Sequence, residues 1–281
     1  MIYFILHSKN NTMVNYGIDY VCDSTKGDIE DIVSNNQIDI RKNTLIPEKD
    51  EKVIKDFVSD LLKIKLDFDE KTNKKLYNDL FNELRKKYVF NPKKSQIFFI
   101  YRQWKYKKII EENTELEKLL ITKQMRSHSG VLVVSVIMPP DNFSCKYDCH
   151  YCPNDPRYSR SYYHGEPTVM RGARNNFDAY KQFHERIISY FINGHNIDKI
   201  EIIILGGTFS CYDPKVCENF ICSLFYAANN AFEDQLNLRE MLDIEKEKLI
   251  NENSLAHIIG ITIETRPDKI SKYELRRFRK Y

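Results

Sequence analysis

Three cysteines, Cys145, Cys149 and Cys152, fall within the eleven residues CKYDCHYCPND. Three thiolates are soft ligands with one position short of a closed tetrahedral shell, and four chemistries compete for them. A structural zinc site needs a fourth protein ligand, which His150 or His164 could supply, although His150 lies awkwardly between two of the cysteines. A redox pair would use Cys149 and Cys152 and leave Cys145 without a task. Incidental thiols would not be expected at this spacing directly after a strand. An iron-sulfur cluster held by three cysteines uses all three and leaves one iron open to a small molecule.

The elements that must carry this loop are legible around it. GVLVVSVIM, residues 130 to 138, is a continuous β-branched run and reads as a strand of a parallel sheet covered on both faces. A helix follows from about residue 177 to 194, then the strand KIEIIIL ending in Gly206-Gly207-Thr208. Next come a helix over about 214 to 229, a charged helix over about 238 to 251, and the strand AHIIGITIE, which runs into TRPD. This order predicts an α/β fold of about three βα units with the unusual residues after strand ends, the face that carries chemistry in β/α barrels. Three parallel strands alone would leave an open edge. A glycine pair after a strand is most often a turn, and Glu264 with Arg266 could be a rim ion pair as well as a ligand site.

Upstream, Val53, Ile54, Phe57, Val58, Leu61 and Leu62 recur at helical spacing, LYNDLFNELRKKY continues the pattern at 76 to 88, and a mostly helical stretch reaches about residue 123. This segment is basic. Between Lys71 and Lys108 twelve Lys or Arg residues face only Asp79 and Glu83, a local charge of +10, which leaves −7 for the rest of a chain whose net charge is +3. Tyr88, Phe90, Phe98, Phe99, Tyr101, Trp104 and Tyr106 are interleaved with these cations. The pattern suits a phosphate backbone with accessible bases, and it equally suits a solvated helical face over an aromatic core. Lys86, Lys87, Lys93, Lys94, Arg102 and Lys105 are the candidate phosphate contacts.

The expected organisation is a weakly structured or lineage-specific extension over 1–46 with no assigned role, a basic helical domain over 47–128, and an incomplete β/α barrel over 129–281. Seven cysteines, three of them in one loop, favour metal ligation in a reducing compartment over a disulfide framework. Cys211, Cys217 and Cys222 read as buried structural thiols. MIYFIL lacks a basic flank and a cleavage site, and no apolar run approaches a membrane span, so a cytoplasmic protein is expected.

CxxxCxxC with an aromatic residue before the last cysteine resembles the radical S-adenosylmethionine superfamily. MRSHSGVLVVSVIMPP, YHGEPTVMRGARNNFDAY, HNIDKIEIIILGGTF and GITIETRPD narrow the resemblance to the catalytic subunit family of Elongator, from about Pro47 to Tyr281. The resemblance implies a partial radical S-adenosylmethionine barrel with a [4Fe-4S] cluster on Cys145, Cys149 and Cys152. It implies S-adenosylmethionine held near Gly206, Gly207, Thr208, Glu264 and Arg266, and acetyl-coenzyme A contacted by Lys199, the lysine of HxxDK. The implied reaction carboxymethylates the wobble uridine of tRNA. A 5′-deoxyadenosyl radical takes hydrogen from the acetyl methyl group, and the resulting carbon radical adds to C5 of the base. The first two cysteines are one residue closer than is usual in the family. KYELRRFRKY stands where family members continue into a fourth strand and an acetyltransferase domain. The expectation is therefore a radical enzyme half completed by a second polypeptide, with a catalytically inactive tRNA- or partner-binding fragment as the other reading.

Overall fold

A computed structural model describes residues 2–7 and 46–281, apart from 67, 68, 142, 144, 148, 234 and 236. Its centre is a four-stranded sheet of β1 (Ile2–His7), β2 (Leu132–Ile137), β3 (Lys199–Leu205) and β4 (His257–Thr265), in the order β1-β4-β3-β2. β2, β3 and β4 are parallel, as their β-branched runs predict. The edge of β4 expected to lie open is paired antiparallel by β1, from Ile2 opposite Thr265 to His7 opposite Gly260. Within the extension over 1–46, Ile2–His7 thus form a strand, and residues 8–45 lie outside those described.

Helices fill the crossovers. α5 (Pro167–Arg174) and α6 (Ala179–Ile192) join β2 to β3, and α7 (Pro214–Asn229) and α8 (Ile244–Asn251) join β3 to β4. The helix expected from about residue 238 starts only at Ile244, where Asp243 accepts a hydrogen bond from the Lys246 amide at 3.0 Å. The residues before it wrap the fully buried Glu247 carboxylate instead: Arg239 donates to both oxygens at 2.6 Å, and the Leu242 amide donates at 2.9 Å. α9 (Lys272–Lys280) follows β4 and buries Phe278.

Before the sheet, α1 (Glu48–Leu61), α2 (Glu70–Tyr88), α3 (Lys94–Tyr106) and α4 (Thr114–Leu120) form the expected helical segment. α2 begins six residues before its apolar pattern does, because Asp69 caps the amide of Thr72 at 3.0 Å. Ile54, Phe57, Val58 and Leu61 of α1 meet Tyr77, Phe81 and Leu84 of α2, with the Phe57 and Phe81 rings edge-on at 5.4 Å. The buried core is continuous from this bundle into the sheet layer. Arg102 ties the two together: its guanidinium lies 4.3 Å from the Phe98 ring and 4.5 Å from the Phe191 ring, and it donates to the Phe191 carbonyl at 2.8 Å.

β2 is the other edge of the sheet, and side chains close it. The outward backbone groups of Val133, Ser135 and Ile137 are met by Tyr190, Arg171 and Gln182. Gln182, fully buried, accepts from the Ile137 amide and donates to its carbonyl, both at 3.0 Å, in the manner of a missing neighbouring strand. Gln182→Leu removes both partners from inside the core. Urea unfolding should show a loss of roughly 2 to 4 kcal/mol, and a loss below about 1 kcal/mol would contradict this account of the β2 edge.

Candidate functional site

The loops after β2, β3 and β4 meet at one end of the sheet. The cysteine loop leaves β2 through Met138, and an isolated antiparallel bridge pairs Phe143 with Tyr212 beyond β3, their rings 4.9 Å apart. Beyond the cysteines, residues 159–162 strap across all three strand ends. The buried Ser159 hydroxyl donates to the Met138 carbonyl of the β2 exit, the Arg160 carbonyl lies against Gly207, and the Tyr162 hydroxyl donates to Glu264 Oε2 at 2.6 Å.

Gly206 and Gly207 are required for this closeness. Their φ values are +134° and +84°, and a Cβ on Gly206 would come 2.8 Å from that of Met138, while one on Gly207 would come 2.9 Å from the Arg160 carbonyl oxygen. Thr208 is buried beside them. Glu264 is only 6% exposed, and burial pushes its carboxyl above the ordinary carboxylate value, an effect the Tyr162 hydrogen bond partly offsets. Burial, aided by the same carboxylate, also raises the Tyr162 hydroxyl.

Arg266 turns toward the cysteines. Its Nη1 donates toward Cys149 Sγ at 3.8 Å, its guanidinium centre stands 4.0 Å over the Tyr147 ring, and its Nε pairs with Asp268 at 2.9 Å. Cys145 lies in hydrogen-bonding contact with Cys211, which burial and this neighbour push up from the ordinary thiol value. Cys211 therefore belongs beside the loop rather than with the inert core thiols. Cys217 and Cys222 are core thiols as expected, pushed by burial to about 12 and about 11. A cleft of about 160 Å³ opens between Phe143, Cys145, Asp155, Tyr158 and Arg160, smaller than the roughly 300 Å³ at which small-molecule pockets begin.

Among the described residues no three Cys, His, Asp or Glu side chains stand together as a metal-binding group. The fit of a cluster to this loop is therefore one of donor chemistry. Three thiols share one short loop, and a fixed guanidinium beside Cys149 offers counter-charge to an anionic cluster, whereas zinc would need a fourth protein ligand.

Two groups of expected residues are placed elsewhere. Lys199 opens β3 at the end opposite Gly206, about 20 Å away along the strand, with its side chain 59% exposed and Asp198 at 4.0 Å. It is not brought to the cysteines. Several of the expected phosphate contacts are engaged internally. Arg102 is the tie described above, Lys105 is paired with Glu112 at 2.6 Å and Glu117 at 2.9 Å, and Lys94 donates to the Leu119 carbonyl at 2.7 Å. Lys87 is paired with Asp60, while Lys86 and Lys93 are exposed. Phe98, Phe99 and Tyr101 are buried, and Tyr88, Phe90, Trp104 and Tyr106 pack against the core. Phe98, Phe99 and Tyr101 are thus core residues, and the other four are half-buried against them.

Charge periodicity along α2 was the missed signal. Lys71, Lys74, Lys75, Asn78, Asn82, Arg85 and Lys86 all fall on its exposed face at helical spacing, opposite Asn73, Tyr77 and Leu84. Tyr147 and Tyr162, the partners of Arg266 and Glu264, had no local sequence signal.

These features define an α/β chain whose three parallel strands gather a thiol loop, a glycine turn and a buried carboxylate at one end. Across this region the chain is similar in sequence to proteins named Elongator complex protein 3 and tRNA uridine(34) acetyltransferase. It is 36% identical over 173 residues to Elongator complex protein 3 of Saccharomyces cerevisiae, covering 58% of this chain and 29% of the relative. It is 36% identical over 171 residues to the tRNA uridine(34) acetyltransferase of Methanocaldococcus infernus, covering 59% and 30%. A solved structure of N-terminally deleted Elp3 from the same archaeon overlaps 53% of this chain and 26% of that one, at 30% identity and a TM-score of 0.38, too loose to add to the strand order. No protein-family model matches the chain. It spans about three tenths of the length of the curated relatives it matches.

Because Glu264 holds its proton to higher pH when folded than when unfolded, the stability tied to that proton is present below the ordinary carboxylate pKa. It is lost as pH rises through the folded value. Glu264→Gln removes this dependence. Urea titrations from about pH 4 to neutrality should show the wild type losing stability relative to the variant, and parallel pH curves would contradict the buried-carboxylate assignment.

Proposed function

We propose that this chain carries the cluster and S-adenosylmethionine part of a radical tRNA-modifying enzyme acting on the wobble uridine, with an acetyl group from acetyl-coenzyme A as donor. The carrying observation is the contact of Arg266, at the end of β4, with Cys149 in the loop after β2, beside the Tyr162–Glu264 hydrogen bond. Residues that could hold a cluster, a nucleoside and an amino-acid headgroup thus share one edge of the sheet. Cys145, Cys149 and Cys152 would hold a [4Fe-4S] cluster, which supplies one electron for reductive cleavage of the sulfonium. The backbone at Gly206 and Gly207 admits close approach, Thr208 lies beside it, and Glu264 offers a buried hydrogen-bonding carboxyl. Two relatives named as tRNA uridine(34) acetyltransferases support the substrate class. Lys199 lies outside the proposed site, at the opposite end of β3.

The tRNA surface in this proposal is the exposed stripe of α2 together with Lys86 and Lys93, rather than Arg102 or Lys105. Phosphate contacts release counterions, so affinity should fall steeply with salt. Neutralising Lys71, Lys74, Lys75, Arg85 and Lys86 to Gln should make the log–log salt slope shallower by roughly 3 to 4. Lys105→Gln should leave the slope alone, because that amine is held by two carboxylates. Filter binding of a tRNA with a wobble uridine across salt concentrations checks both expectations. An unchanged slope in the five-site variant would remove α2 from the surface.

A further inference from the structure

We propose that Arg266 is a positioning residue that raises the reduction potential of the cluster through Cys149, an inference that rests on the cluster reading above. The family resemblance implies that Arg266 helps hold S-adenosylmethionine. The structure gives its guanidinium three other partners: the Cys149 sulfur at 3.8 Å, the Tyr147 ring at 4.0 Å and Asp268 at 2.9 Å.

Those contacts fix both the direction and the charge of the donor. Asp268 takes Nε, which leaves Nη1 aimed at sulfur, and Tyr147 closes one face of the plane. The Asp268 carboxyl is in turn held below its ordinary value by Arg266, with a further hydrogen bond from Tyr147. Among the described contacts the other two loop thiols have no cationic donor: Cys152 meets the Pro153 carbonyl at 3.9 Å, and Cys145 meets Cys211. The guanidinium therefore distinguishes one thiol of the three.

One-electron reduction adds negative charge to the cluster and spreads part of it onto the thiolate sulfurs. An N–H donor with a permanent positive charge, held at one of those sulfurs, favours the reduced form over the oxidised one. Hydrogen bonds to sulfur and local net charge are established levers on such potentials. Only one electron moves, from an external one-electron reductant into the cluster, and no bond to Arg266 forms or breaks. Asp268 moderates the effect by neutralising part of the guanidinium charge.

The test is an EPR-monitored potentiometric titration of the anaerobically reconstituted full chain, without S-adenosylmethionine and with iron and sulfide counted in each sample. Arg266→Gln should lower the midpoint. A tenfold loss in the reduction equilibrium corresponds to about 59 mV for a one-electron couple, and a shift of that order is expected. Arg266→Lys, which keeps the charge, should recover part of it, and Asp268→Asn should move the midpoint upward. An Arg266→Gln midpoint equal to wild type overturns the inference, as does weaker S-adenosylmethionine binding with no change in potential. If Arg266→Gln fails to hold iron, Asp268→Asn decides, and an unchanged midpoint there overturns the inference. A wild-type chain that takes up no iron would instead remove the cluster reading on which the inference rests.

Discussion

Parallel pairing of β2, β3 and β4 is the constraint on which the rest depends. A parallel sheet brings every strand's C-terminal end to the same edge, so three loops far apart in sequence must meet there. Arg266 and Cys149, 117 residues apart, touch for that reason, as do Tyr162 and Glu264, 102 residues apart. The glycines after β3 let the strap between them settle close to the backbone. Both edges of the three parallel strands are covered by the chain itself, β1 along β4 and the α5 and α6 side chains along β2. Hydrogen bonds that a further strand would have made are supplied from elsewhere.

The basic half of the molecule shows how charge count and charge placement differ. Twelve cations mark the segment as a nucleic-acid candidate, yet Arg102, Lys105 and Lys94 bind carbonyls and carboxylates of their own fold. What distinguishes exposed cations from structural ones is position on the helix. The α2 stripe lies opposite Tyr77 and Leu84, whereas Arg102 sits where α3 packs on α6. Buried aromatics explain the interleaving, since α1, α2 and α3 share a core of Phe57, Phe81, Phe98 and Tyr101.

Local pattern explains which features were legible. β-branched runs disclosed all three parallel strands, and the close cysteine spacing disclosed the loop, because strand burial and ligand spacing are short-range properties. α5 and α9 were missed: one is eight residues long inside a polar motif, and the other carries mainly charged residues around Phe278. The HxxDK motif points to Lys199, whose position at the start of β3 places it at the end of the sheet opposite Gly206. β1 has no local signal because its six residues pair with a partner more than 250 residues away. The directions of Arg266 and Tyr162 depend on tertiary contacts that no local period records.

Anaerobic reconstitution with iron and sulfide, followed by iron counting and EPR with and without S-adenosylmethionine, tests the central claim most directly. The account predicts about four irons per chain, lost in Cys149→Ala, and a spectrum of the reduced protein that changes when the cofactor is added. A chain that binds zinc or takes up no iron, or whose spectrum ignores the cofactor, would contradict it.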